Sequence, residues 1–311
     1  MKKIEIVHID SLSRAPLHIE GYLFKGSQPS APSVAIIGAM EGNTIIPLYT
    51  ASKLVDFMKN HMAHSQKILG DILIIPSLNH YALNLNERYW PLDHTDINMM
   101  FPGYEQGETT QRIAKKVFDV LQDYTHGIIL ETRKDLATCI PYVKLFKSGY
   151  EDRGASKKFG FRLIYHKELE PTDIVSLQYN WQLWGTKAYS IVCPNETKID
   201  CLKADSVFEG IISFLSKNKI IDYKILSGYQ STVAKKSDIE VIKTPKSGIF
   251  VPIKNVGSFA SKDEMIGTVI DALEGNIIHH IVSPTDGLIA CQYKNALIFE
   301  NAVAYRIVKS G

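Results

Sequence analysis

The chain has 311 residues, 45% hydrophobic and 22% charged, which is enough apolar material for a sizeable core and for one large domain plus one small one. Its 35 Lys and Arg stand against 33 Asp and Glu, with no basic run long enough to track a phosphate backbone, which argues against a nucleic-acid partner. No stretch approaches the roughly 20 apolar residues of a bilayer span, the N-terminus has no long apolar leader core, and the four cysteines form no CxxC pair. No membrane partner and a reducing, cytoplasmic setting are therefore expected.

In chain order, "HIEGYLFKG" (18–26) alternates apolar and polar residues and predicts a strand. "SVAIIGA" (33–39) is an apolar β-branched run, and "IIPLYTASKLVDFMKNHM" (45–62) then carries apolar residues at helical spacing. "DILIIPSLN" (71–79) predicts a second buried strand, "TTQRIAKKVFDVLQDY" (109–124) an amphipathic helix, and "GIILET" (127–132) a further strand. Strands alternating with helices predict a mostly parallel sheet covered on both faces, with chemistry at the strand ends, here Glu41, Asn79 and Glu131.

"KAYSIVC" (187–193) predicts a strand and "ADSVFEGIISFLSKNK" (204–219) a helix. From about residue 240 the runs "SGIFVPI", "MIGTVID", "IIHHIVSP", "GLIACQY" and "AVAYRIV", separated by Gly, Asn, Asp and Pro, predict a small all-β domain.

The loop "RYWPLDHTDINMMFPG" (88–103) holds Arg88, Pro91, Asp93, Asp96, Asn98, Phe101, Pro102 and Gly103 at fixed spacing. Together with the turn "EGNT" (41–44), the strand end "LET" (130–132) and "KAYSIVCP" (187–194), it resembles the succinylglutamate desuccinylase and aspartoacylase family of zinc hydrolases, relatives of the zinc carboxypeptidases. The resemblance implies an α/β domain over 1–235, with a mixed, mostly parallel sheet flanked by helices. It further implies an all-β barrel-sandwich domain over 236–311.

Laid on the family pattern, Glu41 stands where the first zinc-binding His belongs, Thr44 where the ligand Glu belongs, and Glu131 where the third ligand, a His, belongs. Met99 replaces the Arg that grips the substrate carboxylate in relatives, and Val192 replaces the general acid/base Glu. Arg88, which polarises the scissile carbonyl in relatives, is kept, and Asn98 is expected to orient substrate.

Two Glu and one Thr supply only oxygen, which suits Mg²⁺, Mn²⁺ or Ca²⁺ better than tightly held Zn²⁺. Two carboxylates close together also repel unless a cation lies between them, and Arg88 is the obvious side chain for that place. Two readings follow. In the first, the chain hydrolyses an amide or ester, N-acyl amino acid-like, through a remodelled divalent-metal site of Glu41, Thr44 and Glu131, with Mn, Mg or Zn as cofactor. In the second, it is non-catalytic and binds a small molecule or a protein in the inherited cleft. Oligomeric state is not legible.

His80 and His94 are outside candidates for an imidazole ligand, hydrogen-bonded or surface roles being commoner. His279 and His280 alternate along a strand and read as structural, while Cys193 and Cys201 read as thiols without a base partner.

Overall fold

The computed structural model describes residues 1–10, 15–63, 67–195, 198–225 and 228–310. The chain divides into two compact units: Met1–Thr132 with Pro141–Ser231, and Arg133–Ile140 with Thr232–Gly311.

The first unit is built on β1 (Lys2–Ile9), β2 (Leu17–Phe24), β3 (Val34–Ala39), β4 (Ile72–Ser77), β5 (His126–Thr132), β7 (Tyr142–Phe146), β8 (Leu163–Lys167) and β9 (Lys187–Cys193). The short β6 (Ala137–Cys139) is taken into the second unit. The strands lie in the order β1-β2-β4-β3-β5-β9-β7-β8. The centre, β4-β3-β5-β9, is parallel, and β1, β2 and β7 join it by antiparallel pairs.

Every residue of β3 is buried, because helices cover both of its faces. Val34 and Ile36 share a core with Leu54 and Met58 of α1 (Ile45–Ala63) and Phe214 of α6 (Cys201–Lys217). Ala35 and Ile37 pack in a second core with Val117 and Phe118 of α3 (Thr109–Leu121) and Trp181 of α5 (Leu177–Leu183). That two-sided burial is why the strand reads as an unbroken apolar run. β2, between β1 and β4, alternates buried and exposed residues over its first half, as a strand with one wet face should. Two shorter helices, α2 (His80–Leu85) and α4 (Arg153–Ser156), occupy loops.

The second unit holds β10 (Thr232–Ala234), β11 (Ile239–Lys243), β12 (Gly248–Pro252), β13 (Phe259–Ala260), β14 (Met265–Ile270), β15 (Ile277–Val282), β16 (Gly287–Tyr293), β17 (Leu297–Ile298) and β18 (Val303–Lys309). One antiparallel sheet runs β11-β18-β16-β13 with β6 against β16, and another runs β15-β14-β12-β17. Their shared core sets Phe250, Val269 and Ile281 against Ile289, Ala304 and Ile307. Tyr305 crosses it, its hydroxyl donating to the Ile266 carbonyl at 2.7 Å. His279 and His280 alternate on β15, His280 exposed, and neither enters a metal group among the described residues.

Segment 133–140 is stapled into this unit by a Cys139–Cys291 disulfide between β6 and β16. This departs from the reduced thiols that a cytoplasmic setting implies, and a sequence separation of 152 left no local sign of it. A bond closing so long a loop removes much freedom from the unfolded chain, typically worth about 2–4 kcal/mol. Dithiothreitol, or Cys139→Ala with Cys291→Ala, should therefore lower the Tm of the second unit by several degrees; scanning calorimetry with and without reductant showing no shift would contradict this.

Candidate active site

Three neighbouring strands of the parallel centre, β4, β3 and β5, lead into Asn79, Glu41 and Glu131, so the polar residues picked out in sequence gather at one end of the sheet. The turn after β3 fits against α2: a Cβ on Gly42 would lie 2.3 Å from the carbonyl carbon of Ala82, so only glycine permits this approach. Asn79 caps α2, its Oδ1 accepting from the Ala82 backbone N–H at 3.3 Å. Thr44 is buried, and its hydroxyl donates to the Glu41 carbonyl at 2.9 Å, holding the turn in shape ahead of α1.

Each carboxylate at the strand ends meets a cation of the chain itself. Arg88 Nη2 donates to Glu41 Oε1 at 2.6 Å, with the two side chains 22% and 18% exposed. Glu131 is ion-paired to Lys144 of β7, a residue that sequence reasoning did not single out. Lys144 reaches it because β7 runs antiparallel to β9, the strand beside β5. The backbone there is fixed from α5: Gln178 Nε2 donates to the Lys144 carbonyl at 2.9 Å, while Gln178 Oε1 accepts from the Ser190 hydroxyl at 2.9 Å. Val192, at the general acid/base position of the family pattern, is buried and sits in register between Glu131 and Tyr142. It can carry no proton.

The loop of residues 88–103 divides its labour. Asp93 Oδ2 accepts from the Thr110 hydroxyl at 3.1 Å, tying the loop to α3. Asp96 accepts from the Asn98 N–H at 3.0 Å, and Asn98 Oδ1 accepts from the Leu177 N–H at 3.1 Å at the start of α5. The Asn98 carbonyl oxygen thus serves the framework in this structure, and Met99 beside it is half-buried. Gly103 takes φ +89° where a Cβ would lie 2.1 Å from the Lys115 backbone nitrogen. Arg88 is the loop residue that reaches Glu41.

His94 is exposed at φ +53° in the same loop. His80 opens α2 with its ring 4.8 Å from that of Tyr81, and burial lowers its pKa. Neither histidine joins Glu41 or Glu131 in a metal-binding group among the described residues. Cys193 is fully buried, and burial, followed by the nearby Glu131, pushes its thiol well above the ordinary range, so it is no nucleophile. Cys201 is an exposed free thiol at the start of α6.

Residues 30–130 match the model of the succinylglutamate desuccinylase/aspartoacylase catalytic domain. The full chain is similar to a succinylglutamate desuccinylase/aspartoacylase from Rhodobacter sphaeroides, at 15% identity and TM-score 0.75, covering 99% of this chain and 95% of the other. The chain has the succinylglutamate desuccinylase/aspartoacylase fold. An aspartoacylase family protein from Mesorhizobium loti matches at 17% identity and TM-score 0.75 over 100% of this chain and 95% of its own. The product-bound ectoine utilization protein of Ruegeria pomeroyi matches at 16% and 0.74 over 99% and 95%. No curated protein matches the chain.

The zinc that the family resemblance implies does not fit the donor set at the strand ends. Thr44 spends its hydroxyl proton on backbone, the donors are all oxygen, and each carboxylate already lies against a guanidinium or ammonium that would repel a divalent ion. The pairing of Glu131 is directly testable. Lys144→Met leaves a partly buried carboxylate uncompensated and should destabilise the first unit by about 2–4 kcal/mol, whereas Lys144→Met with Glu131→Leu should recover most of the loss. Urea unfolding of the two variants checks this, and equal destabilisation by both would refute the pairing.

Proposed function

We propose that the chain binds a small acceptor-bearing molecule, an amide or carboxylate of the N-acyl amino acid type, at the strand-end site, and that it does so without a metal ion. The observation that carries the reading is the pairing of Glu41 with Arg88 and of Glu131 with Lys144, which meets internally the need for positive charge. Two donors on residues of the strand-end region support a ligand that accepts hydrogen bonds: Asn79 Nδ2 and Arg88 Nε are buried without an acceptor among the described residues. Buried polar groups of this kind are rare in folded proteins and call for a partner. The ectoine utilization protein of similar fold, solved with product bound, supports a small-molecule ligand rather than a macromolecular one.

A second reading is favoured by the match of residues 30–130 to a catalytic domain. In it the chain hydrolyses an amide or ester through Glu41, Thr44 and Glu131 as an oxygen-donor site for Mn²⁺, Mg²⁺ or Zn²⁺, with Arg88 polarising the carbonyl. Both ion pairs would have to open for that site to form.

N-acetyl-leucine and N-acetyl-aspartate serve as probes. The metal-free reading expects saturable binding of N-acetyl-leucine in the presence of chelator, weakened at least tenfold by Arg88→Met, with no turnover of either probe. N-acetyl-aspartate should bind less well, because Met99 offers no cation to its side chain. Turnover that needs added Mn²⁺, Mg²⁺ or Zn²⁺ and disappears in both Glu41→Gln and Glu131→Gln would overturn the metal-free reading in favour of the hydrolase.

A further inference from the structure

The exposed face of the β1–β2 hairpin carries a second constellation, on the edge of the sheet and unconnected with the residues of the strand ends. His8 and His18 are direct cross-strand partners. Glu5 lies three residues before His8, a spacing that in a regular strand would put the two on opposite faces. A β-bulge between Glu5 and Val7 cancels the alternation: Ile6 and Val7 are both buried, and Glu5 and His8 both emerge on the wet face.

The ligating atoms converge there. His8 Nδ1 lies 3.4 Å from Glu5 Oε1, and His18 Nδ1 contacts Glu5 Oε2. One ligand atom from each of Glu5, His8 and His18 lies within 4.8 Å of the other two, and this is the group of three His, Cys, Asp or Glu residues so placed among the described residues. The far nitrogen of His8, Nε2, is 3.1 Å from Asp10 Oδ1. That is the carboxylate–imidazole contact which, in metal sites, fixes the ring and its tautomer so that the opposite nitrogen faces the ion. The neighbouring Glu20 is engaged by Lys3, which leaves the two imidazoles to Glu5. Side-chain exposures of 42–48% for the three residues keep the position open to a solvated ion.

From this geometry we infer that Glu5, His8 and His18 form a binding site for one divalent ion of the borderline class, Zn²⁺ being the natural occupant of two imidazoles and a carboxylate, with water completing the shell. The bulge is what makes it a site, since it converts a hairpin with one cross-strand histidine pair into a three-donor face. Nothing in this inference depends on the ligand proposed for the strand ends.

Calorimetric titration of the full chain with Zn²⁺ tests it, alongside His8→Ala, His18→Ala and Glu131→Gln. One equivalent of Zn²⁺ should bind the native chain and the Glu131→Gln variant alike, and binding should weaken at least tenfold in each histidine variant. Circular dichroism of the surface variants confirms that they fold. Failure of the native chain to take up one equivalent, or uptake unchanged in both His8→Ala and His18→Ala, would overturn the hairpin site. Uptake lost in Glu131→Gln but kept in the histidine variants would overturn this site and the metal-free reading of the strand ends together. Uptake lost only in the histidine variants leaves the strand-end reading intact.

Discussion

Carboxylates placed at the ends of adjacent parallel strands repel one another unless positive charge is supplied between or beside them, and in a partly buried setting the repulsion is weakly screened. This constraint governs the first unit at Glu41 and Glu131. The chain answers it with two side chains drawn from different places: Arg88 from the loop after α2, and Lys144 from a strand two removed from β5 in the sheet. Neither cation works alone. The guanidinium of Arg88 is committed to Glu41, so Glu131 needs the separate ammonium, and that ammonium is placed by the Gln178 and Ser190 hydrogen bonds that lock α5, β7 and β9 together.

The surrounding framework follows from the same geometry. Gly42 lets α2 close over the turn, Asn79 caps that helix, and the residues of the 88–103 loop other than Arg88 are largely occupied in tying the loop to α3 and α5. A loop so tethered holds its shape whether or not a metal binds beside it. Retention of its spacing alongside exchanged ligand positions is therefore physically consistent: the tethers serve the fold, and one residue, Arg88, serves the site.

Much of the fold was legible because its centre obeys simple patterns. β3, buried on both faces, reads as an apolar run; α3, buried on one, reads at helical period; and the C-terminal strands stand out by their Gly and Pro punctuation. β7 was not legible, since "YVKLF" is five residues interrupted by the charged Lys144, and α5 hides its burial behind Gln178, Asn180 and Gln182, whose amide nitrogens donate to backbone carbonyls of Lys144, Phe101 and Ala188 outside the helix. Glu41, Arg88 and Glu131 draw attention in the sequence because they fall at strand ends or on a spaced motif. Lys144 could not, because its role arises from sheet order rather than from sequence distance. The hairpin trio was equally hidden, since a spacing of three on a strand becomes co-facial only through the bulge. The Cys139–Cys291 pair is invisible to spacing for a similar reason: segment 133–140 belongs to the second unit although it interrupts the first.

The central claim is that the positive charge facing Glu41 and Glu131 comes from Arg88 and Lys144 and not from a divalent ion. A crystal structure from protein grown in millimolar Mn²⁺, with anomalous scattering collected, addresses it most directly. The expected result is Lys144 Nζ in contact with Glu131, Arg88 in contact with Glu41, and no anomalous peak at the strand ends. A manganese peak ligated by Glu41 and Glu131, with Arg88 and Lys144 turned away, would contradict it.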